Sequence, residues 1–504
     1  MPLQRGVLAA ILVVLAYIIK VQDSYQVPLL QANNAKIVWK GLTGPLSKLP
    51  GPWYTKYTNL VLRYQTVSGK RIFYVDNLHQ RYGGVVRISP NETAVSDIAG
   101  VSQIHKIGAG YLKSDFYSSL LPTDTPGIFP MRDPRAHAAR RRLFARPFSN
   151  TSLSSNWDVE IRTKANLAVQ RIRHDAMGSS QGADVLKWWT LMANDVIAHL
   201  SFGESSEMLE MGKQTPYIDA IQAALICGII RSEIGTTIWK LLSCLPIKRI
   251  KFLYSIDDVL NEHGERAIQK MRSEGGNTKN LFSQMMAAGE DSKTAALSNK
   301  HIREEAAGFI VAGSDTTAVT LTYLVWAVLK QPDLQSRLEN EIAGLSEELT
   351  KDELEAAPLL NSVIAETLRL YGAAPGALPR VVPKQGTVIG GHHIPGDTVV
   401  STQAYTNHRD PSAFPNPHEF DGLRFLDKSM MSAHQKASYM PFGAGSRVCI
   451  GIHLAYMELR LGAALFFRHC RGARISDSMN DEMMEMDNNF LIAPKGHHCY
   501  ITLR

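Results

Sequence analysis

Phe442-Gly443-Ala444-Gly445-Ser446-Arg447-Val448-Cys449-Ile450-Gly451 is a glycine-punctuated loop that runs directly into 454–467, a strongly helical stretch. Glycine permits the positive φ of a tight turn and lets backbone approach a flat ligand closely. A cysteine at such a junction is unusual. Arg447 stands two residues upstream, and the start of the following helix offers free N–H groups and the positive end of a dipole. All three features lower a thiol pKa and favour the thiolate. The plainer reading is a buried cysteine packed after a loop. The spaced set of Phe442, Gly445, Arg447 and Gly451 around Cys449 weighs against it.

Three upstream segments carry further chemistry. Ala312-Gly313-Ser314-Asp315-Thr316-Thr317 falls inside a helical run from about 301 to 330 that ends at Pro332. Glycine and hydroxyl side chains in mid-helix are expected to interrupt and loosen its hydrogen-bond ladder. An acid beside an alcohol can organise water and relay protons. The plainer readings are a core helix with a few buried hydroxyls or a membrane span, although Asp315 makes a span costly. Glu366-Thr367-Leu368-Arg369 places a carboxylate and a guanidinium at i and i+3, on one helix face. His137 and Arg141 are likewise i and i+4, within the basic run Arg140-Arg141-Arg142 that continues to Arg146.

The pattern Phe-x-x-Gly-x-Arg-x-Cys-x-Gly resembles the signature of the cytochrome P-450 family, and all its fixed positions are filled here. The resemblance implies haem b bound in the loop beside Phe442, with Cys449 as the proximal ligand of its iron. A thiolate ligand pushes electron density onto iron and favours O–O cleavage, unlike the histidine of oxygen carriers. By the same resemblance Asp315 and Thr316 are the acid-alcohol pair of an oxygen-activating helix. Glu366 and Arg369 match the Glu-x-x-Arg motif, which Arg424 completes structurally. Gly422-Leu423 stands where the usual Pro-Glu precedes that arginine. His137, where many members have Trp, and Arg141, Arg380 and Arg447 are implied as partners of the haem propionates, since arginine's fork suits carboxylates. Phe309, Ala312, Gly313, Ala374 and Leu378 would line an apolar pocket by analogy.

The implied fold is mainly α with minor β-sheets, a triangular α-rich domain enclosing the haem. Electrons would come from NADPH through cytochrome P-450 reductase, to which the Arg140–Arg146 face could dock, a solvated face being the plainer alternative. The implied reaction inserts one oxygen atom of O2 into an apolar small molecule by hydroxylation or epoxidation. The chain looks similar to fungal members that tailor secondary metabolites such as terpenoids or polyketides. A haem-thiolate isomerase or dehydratase, or a haem sensor without catalysis, are the other readings. Neither needs the acid-alcohol pair.

Composition sets the frame. Over 504 residues, 45% hydrophobic and 20% charged content reads as a large globular body, and a formal charge of +7 is too diffuse for a nucleic-acid binder. Five cysteines without paired spacing fit a reducing compartment and no disulfide framework. The apolar run 7–19, between Arg5 and Lys20, is short for a full span, but it ends in bulky Tyr17, Ile18 and Ile19 without a small-residue cleavage site. A retained signal-anchor over 1–21 is therefore preferred to a cleaved signal peptide, giving membrane lipid as a partner and a cytosol-facing domain on the endoplasmic reticulum. A linker with a proline hinge (22–52) and one catalytic domain (53–504) would follow. Strands are expected in 82–97 and as hairpins in 381–400, and helices in most of 133–370.

Overall fold

In the computed structural model, which describes residues 37–120, 125–203, 205–234, 239, 241, 256, 280–282 and 298–503, the apolar run after Ser298 forms one central helix, Asn299–Leu329. Ser298 caps it by accepting the N–H of His301. The expected interruption at 312–317 does not occur. Ser314, Thr316, Thr320 and Thr322 turn their hydroxyls back onto the carbonyls four residues earlier, so the ladder gains extra donors instead of breaking. Gly313 serves packing: a Cβ there would lie 2.8 Å from Ile197 Cγ1 on the neighbouring helix Val185–Phe202. This central helix is long and apolar enough to cross a membrane, yet 67% of its apolar stretch is buried inside the protein, which makes it a core helix.

Around it pack Val185–Phe202, which is buried on nearly every side, Asn150–Gly178, Pro358–Tyr371 and the C-terminal core helix Ile452–His469. Trp189, Leu321, Phe466 and Phe467 are fully buried at the heart of this cluster. Full burial of each such side chain contributes about 1.5–3 kcal/mol, which is why the helices gather here.

The strands expected in 82–97 are Val85–Ser89 and Glu92–Val95, an antiparallel hairpin. Glu92–Val95 pairs parallel with Val399–Ser401, and Arg380–Val381 and Leu112–Lys113 extend the sheet. Thr387–Ile389 and His392–Ile394 form a separate hairpin. The molecule is thus mainly helical with small sheets. The sheet matters for function because it carries Arg380 and Lys113 on adjacent strands in direct register.

The apolar segment 1–21 and the first part of the linker, through 36, lie outside the described residues. The proline segment at 46–52 is docked onto the domain. Leu46 and Leu49 pack with Val85 and Val95. Arg87, buried to 1% exposure, donates to Leu46 O at 3.0 Å, Leu49 O at 2.6 Å and Pro52 O at 3.2 Å. A buried guanidinium is tolerated here because carbonyls replace its water.

Candidate active site

The cysteine loop is shaped by its own backbone. Cys449 N–H donates to Phe442 O at 2.9 Å, Gly443 N–H to Met440 O at 3.0 Å and Val448 N–H to Gly445 O at 3.2 Å. Gly443 and Gly445 hold φ of +71° and +66°. At Gly445 the constraint is also spatial, because a Cβ would fall 1.9 Å from the carbonyl oxygen of His105. Gly445→Ala is expected to cost about 1–3 kcal/mol for the strained φ alone, and more for the clash. A drop in unfolding midpoint together with haem content checks this; a variant as stable as the parent would refute the tight approach.

His408 ties the loop to the core. Its ring accepts the N–H of Met440 at Nε2, 2.9 Å away, and donates from Nδ1 to Arg369 O at 2.9 Å. A backbone carbonyl can only accept and an N–H only donate, so the tautomer is set by its partners. Burial pushes its pKa down to about 3, which keeps the ring neutral and able to bridge.

Cys449 is accessible, but only because its side chain opens into an interior cavity of about 1060 Å³. Burial pushes its thiol up from the usual range, and the N–H of Gly451 and the charge of Arg141 pull it partly back. Arg447, the cation expected to act on the sulfur, points elsewhere: it donates to Met131 O at 2.8 Å and Arg132 O at 3.2 Å. Arg141, brought in by the helix Pro134–Ala145, takes that place and donates to Val448 O at 2.8 Å. Protein groups alone therefore leave a neutral thiol, and a bound cation would supply what deprotonates it.

Lys113, His137, Arg141, Arg380 and Arg447 also line the same cavity. Among the described residues none of these side chains forms an ion pair with a carboxylate, and their positive charges oppose one another. Burial and then the charges of Arg380 and Arg447 hold Lys113 well below its usual pKa. Burial, Arg447, Lys113 and Arg141 bring His137 down to about 4, and burial with Arg380 brings Arg447 to about 10. Tyr117 accepts from Arg380 Nη1 at 2.9 Å, and Phe129 O accepts from Lys113 Nζ. A buried cluster of like charge without a counter-anion is costly, and a ligand bearing carboxylates would relieve it. A flat dicarboxylate with a cationic centre, such as haem, fits a lining that combines these cationic side chains with Cys449.

The opposite wall is the central helix. Phe309, Ala312, Gly313, Thr316, Thr317 and Thr320 line it, together with Ala374 and Leu378 from the segment after Pro358–Tyr371. Phe309 also packs into an aromatic cluster, 4.8 Å from the ring centre of Phe144 and 5.4 Å from that of Phe148. Thr316 Oγ1 donates to Ala312 O at 2.7 Å, whereas Asp315 is partly buried and is not part of the lining. The two members of the expected acid-alcohol pair thus differ in their access to the cavity.

Glu366, Arg369 and Arg424 meet. Arg369 Nε and Nη2 each lie 2.7 Å from a different oxygen of Glu366, and Arg424 Nε is 3.2 Å from both. Arg369 reaches on to His408 O at 2.7 Å, Pro417 O at 2.6 Å and Glu419 O at 3.0 Å. Gly422, which with Leu423 stands where Pro-Glu is usual, lies where a Cβ would come within 2.6 Å of Leu334.

Arg140 departs from the expected basic surface. It turns inward to Glu305, 2.5 Å away, whose carboxylate also accepts the N–H of Ile128 at 3.0 Å; Arg142 and Arg146 remain exposed. Lys113, His408 and Glu458, another buried acid on the cavity wall, were not legible in sequence as site residues. Lys113 is placed by strand pairing with Arg380, His408 by contacts with Arg369 and Met440 more than thirty residues away, and Glu458 by a contact with Thr317 on another helix, none of which a local motif marks.

The family model described as Cytochrome P-450 matches residues 49–500. The chain is 38% identical to the cytochrome P-450 monooxygenase aflV of Aspergillus parasiticus over 475 residues, 93% of each chain. It is 39% identical to the cytochrome P-450 monooxygenase tazI of Aspergillus terreus over 474 residues, 92% of this chain and 95% of the relative. It is 33% identical to the methylphloroacetophenone oxidase of Cladonia uncialis over 390 residues, 74% and 84% of the two chains.

Proposed function

This chain belongs to the cytochrome P-450 family, whose monooxygenases bind haem b through a cysteine thiolate, and we propose that Cys449 supplies that thiolate here. As a family monooxygenase the protein is an oxidoreductase that works with O2, an organic substrate and a reductase. The observation that carries the assignment of Cys449 is its side chain opening into a cavity that Arg141, Arg380 and Arg447 also line, none of them ion-paired with a carboxylate among the described residues.

Haem, once bound, supplies the site of O2 reduction and oxygen transfer. The chain's own residues do the rest. Arg141, Arg380, Arg447 and His137, joined by Lys113, hold the propionates; Phe442 packs beside the loop, 5.4 Å from the ring centre of Tyr456. Glu366, Arg369 and Arg424 clamp the segment that leads into the loop. Thr316 presents its hydroxyl to the cavity, and Asp315, the preceding residue on the same helix but off the lining, would resupply protons to it through water. Thr316→Ala is expected to lower product formed per NADPH by on the order of 10²-fold while NADPH is still consumed, the low end of what a positioned proton-transfer group contributes. Product and peroxide assays on the same sample check this; unchanged coupling would remove Thr316 from the role.

The substrate we propose is an apolar, hydroxylated aromatic ketone of polyketide type, tailored in fungal secondary metabolism. Two things support it: the relative named for oxidising methylphloroacetophenone, and a wall of Phe309, Ala312, Ala374 and Leu378 that suits a ring system. We further propose that residues 1–21 anchor the protein in the endoplasmic reticulum with the domain facing the cytosol, and that exposed Arg142 and Arg146 steer an acidic reductase. The test is turnover with cytochrome P-450 reductase and NADPH on aromatic ketones and terpenoids in parallel. Oxygenation of the ketones supports the reading. Oxygenation of terpenoids alone would overturn the substrate class. Conversion without NADPH would point to an isomerase, and binding without conversion to a sensor. Carbonate-resistant membrane association lost on deleting 1–21 would support the anchor.

A further inference from the structure

The cavity carries a cation that the haem partners do not use. Arg231 lies on the helix Pro216–Ile234, one turn beyond Cys227, and the two line the cavity from one helix face, together with Trp239 and Ile256. Cys227 and Ile256 are 5% and 2% exposed and pack with Ala223 and Trp239, so the patch beside the guanidinium is apolar. The helix is closely seated: a Cβ on Gly228 would fall 2.2 Å from the carbonyl oxygen of Leu120, at the end of the helix Phe116–Leu120. Arg231 Nε is buried without an acceptor, and among the described residues the side chain forms no hydrogen bond or ion pair.

The acids that could serve it are otherwise engaged. Glu233, two residues on, lies 3.9 Å from Arg63, and Glu305 is held by Arg140. Burial raises the Glu458 carboxyl to about 8, which leaves it neutral at pH 7. Of the remaining charged side chains on the lining outside the haem partners, Lys300 and Arg303 favour an anion and Glu304 opposes one. Arg231 also stands apart from the propionate cluster, since the charges that depress Lys113 and His137 come from Arg141, Arg380, Arg447 and Lys113 and not from Arg231. A guanidinium without an acceptor beside apolar groups costs free energy that a ligand's oxygen anion recovers through charge-assisted hydrogen bonds.

We propose that Arg231 is a specificity-determining residue that binds an anionic oxygen of the substrate, so that acidic ligands are preferred to their methyl ethers or esters. In the substrate class proposed above that oxygen belongs to a phenol conjugated with the ring ketone, which spreads the negative charge and lets the proton pass to solvent on binding. Trp239 beside Arg231 suits the ring that carries it. The choice of a phenol rests on that substrate reading, whereas the need for an anion rests on Arg231.

Calorimetric titration of the haem-loaded enzyme with phloroacetophenone and with its tri-O-methyl ether tests this. The wild type is expected to bind the phenol at least ~10-fold more tightly than the ether, with protons released as a buffer-dependent heat. Arg231→Gln should lose both the margin and the proton release while its affinity for the ether stays unchanged, and Arg231→Lys should restore much of the margin. A terpenoid acid and its methyl ester form the second arm. Preference for that acid alone, lost in Arg231→Gln, would uphold Arg231 and overturn the aromatic-ketone reading. Equal binding of acid and methylated form in both arms, no binding of either acid, or a wild-type margin in Arg231→Gln would overturn the role of Arg231, even where the ketones are turned over. Should Arg231→Gln fail to fold, the wild-type margin between acid and methylated form decides alone.

Discussion

Cys449→Ser is expected to abolish the red-shifted Soret band of the reduced, carbon-monoxide-bound protein and to lower product formation by at least ~10³-fold, equivalent to about 4 kcal/mol of barrier. The argument is local. Serine preserves the size of the side chain, and Cys449 faces a cavity instead of packed neighbours, so the fold loses little. What is lost is the sulfur. An alcohol is far harder to deprotonate than a thiol and donates less electron density to iron, which is the property that promotes O–O cleavage. The cations lining the cavity are untouched, so some haem should still bind. A difference spectrum and a haem assay on the same sample separate these effects. A histidine-type band in both wild type and variant would sink Cys449 as the ligand and revive the sensor reading.

The second large effect is expected at Arg369. Its side chain and that of Glu366 are both 0% exposed. Arg369→Gln leaves the Glu366 carboxylate with one surviving guanidinium, that of Arg424, and strands the carbonyls of His408, Pro417 and Glu419. Removing one partner of a buried ion pair costs about 3–5 kcal/mol, against a typical total stability of about 5–15 kcal/mol. Arg369→Lys should fare little better. A point charge cannot serve both oxygens of Glu366 and three carbonyls on separate turns. The damage should reach the cofactor site, because Arg369 O accepts from His408, which in turn accepts the N–H of Met440 just before the cysteine loop. Denaturant unfolding and the yield of haem-loaded protein are the measurements. Wild-type values for Arg369→Lys would show that the network is dispensable.

Similar reasoning explains why the basic run at 140–146 divides. Consecutive arginines on a helix point in different directions, so one run supplies a buried ion pair with Glu305, a contact beside the sulfur and an exposed face. Reductase binding is therefore expected to depend on the exposed members. Changes at Arg140 act instead through the segment around Ile128, whose N–H the Glu305 carboxylate holds.

What sequence by itself determined was everything encoded in short spacing. The loop around Cys449 was legible because its glycines, arginine and cysteine lie within ten residues and the positive φ that Gly443 and Gly445 adopt is a local demand of backbone geometry. Glu366 and Arg369 were legible because i and i+3 share a helix face, and the helical and strand regions because apolar period and turn residues are local signals. Tertiary structure alone decided which cation serves which group. Arg141 approaches the cysteine across 308 residues of chain, from a different helix, while nearby Arg447 turns to Met131. It also decided that Gly313 is a packing glycine and that Lys113 joins Arg380 through strand register. Glu458 was brought to the cavity wall against the Thr317 hydroxyl in the same way. The physical reason is common to all of them: the energy of a buried charge or a close helix contact depends on what faces it, and what faces it comes from distant parts of the chain.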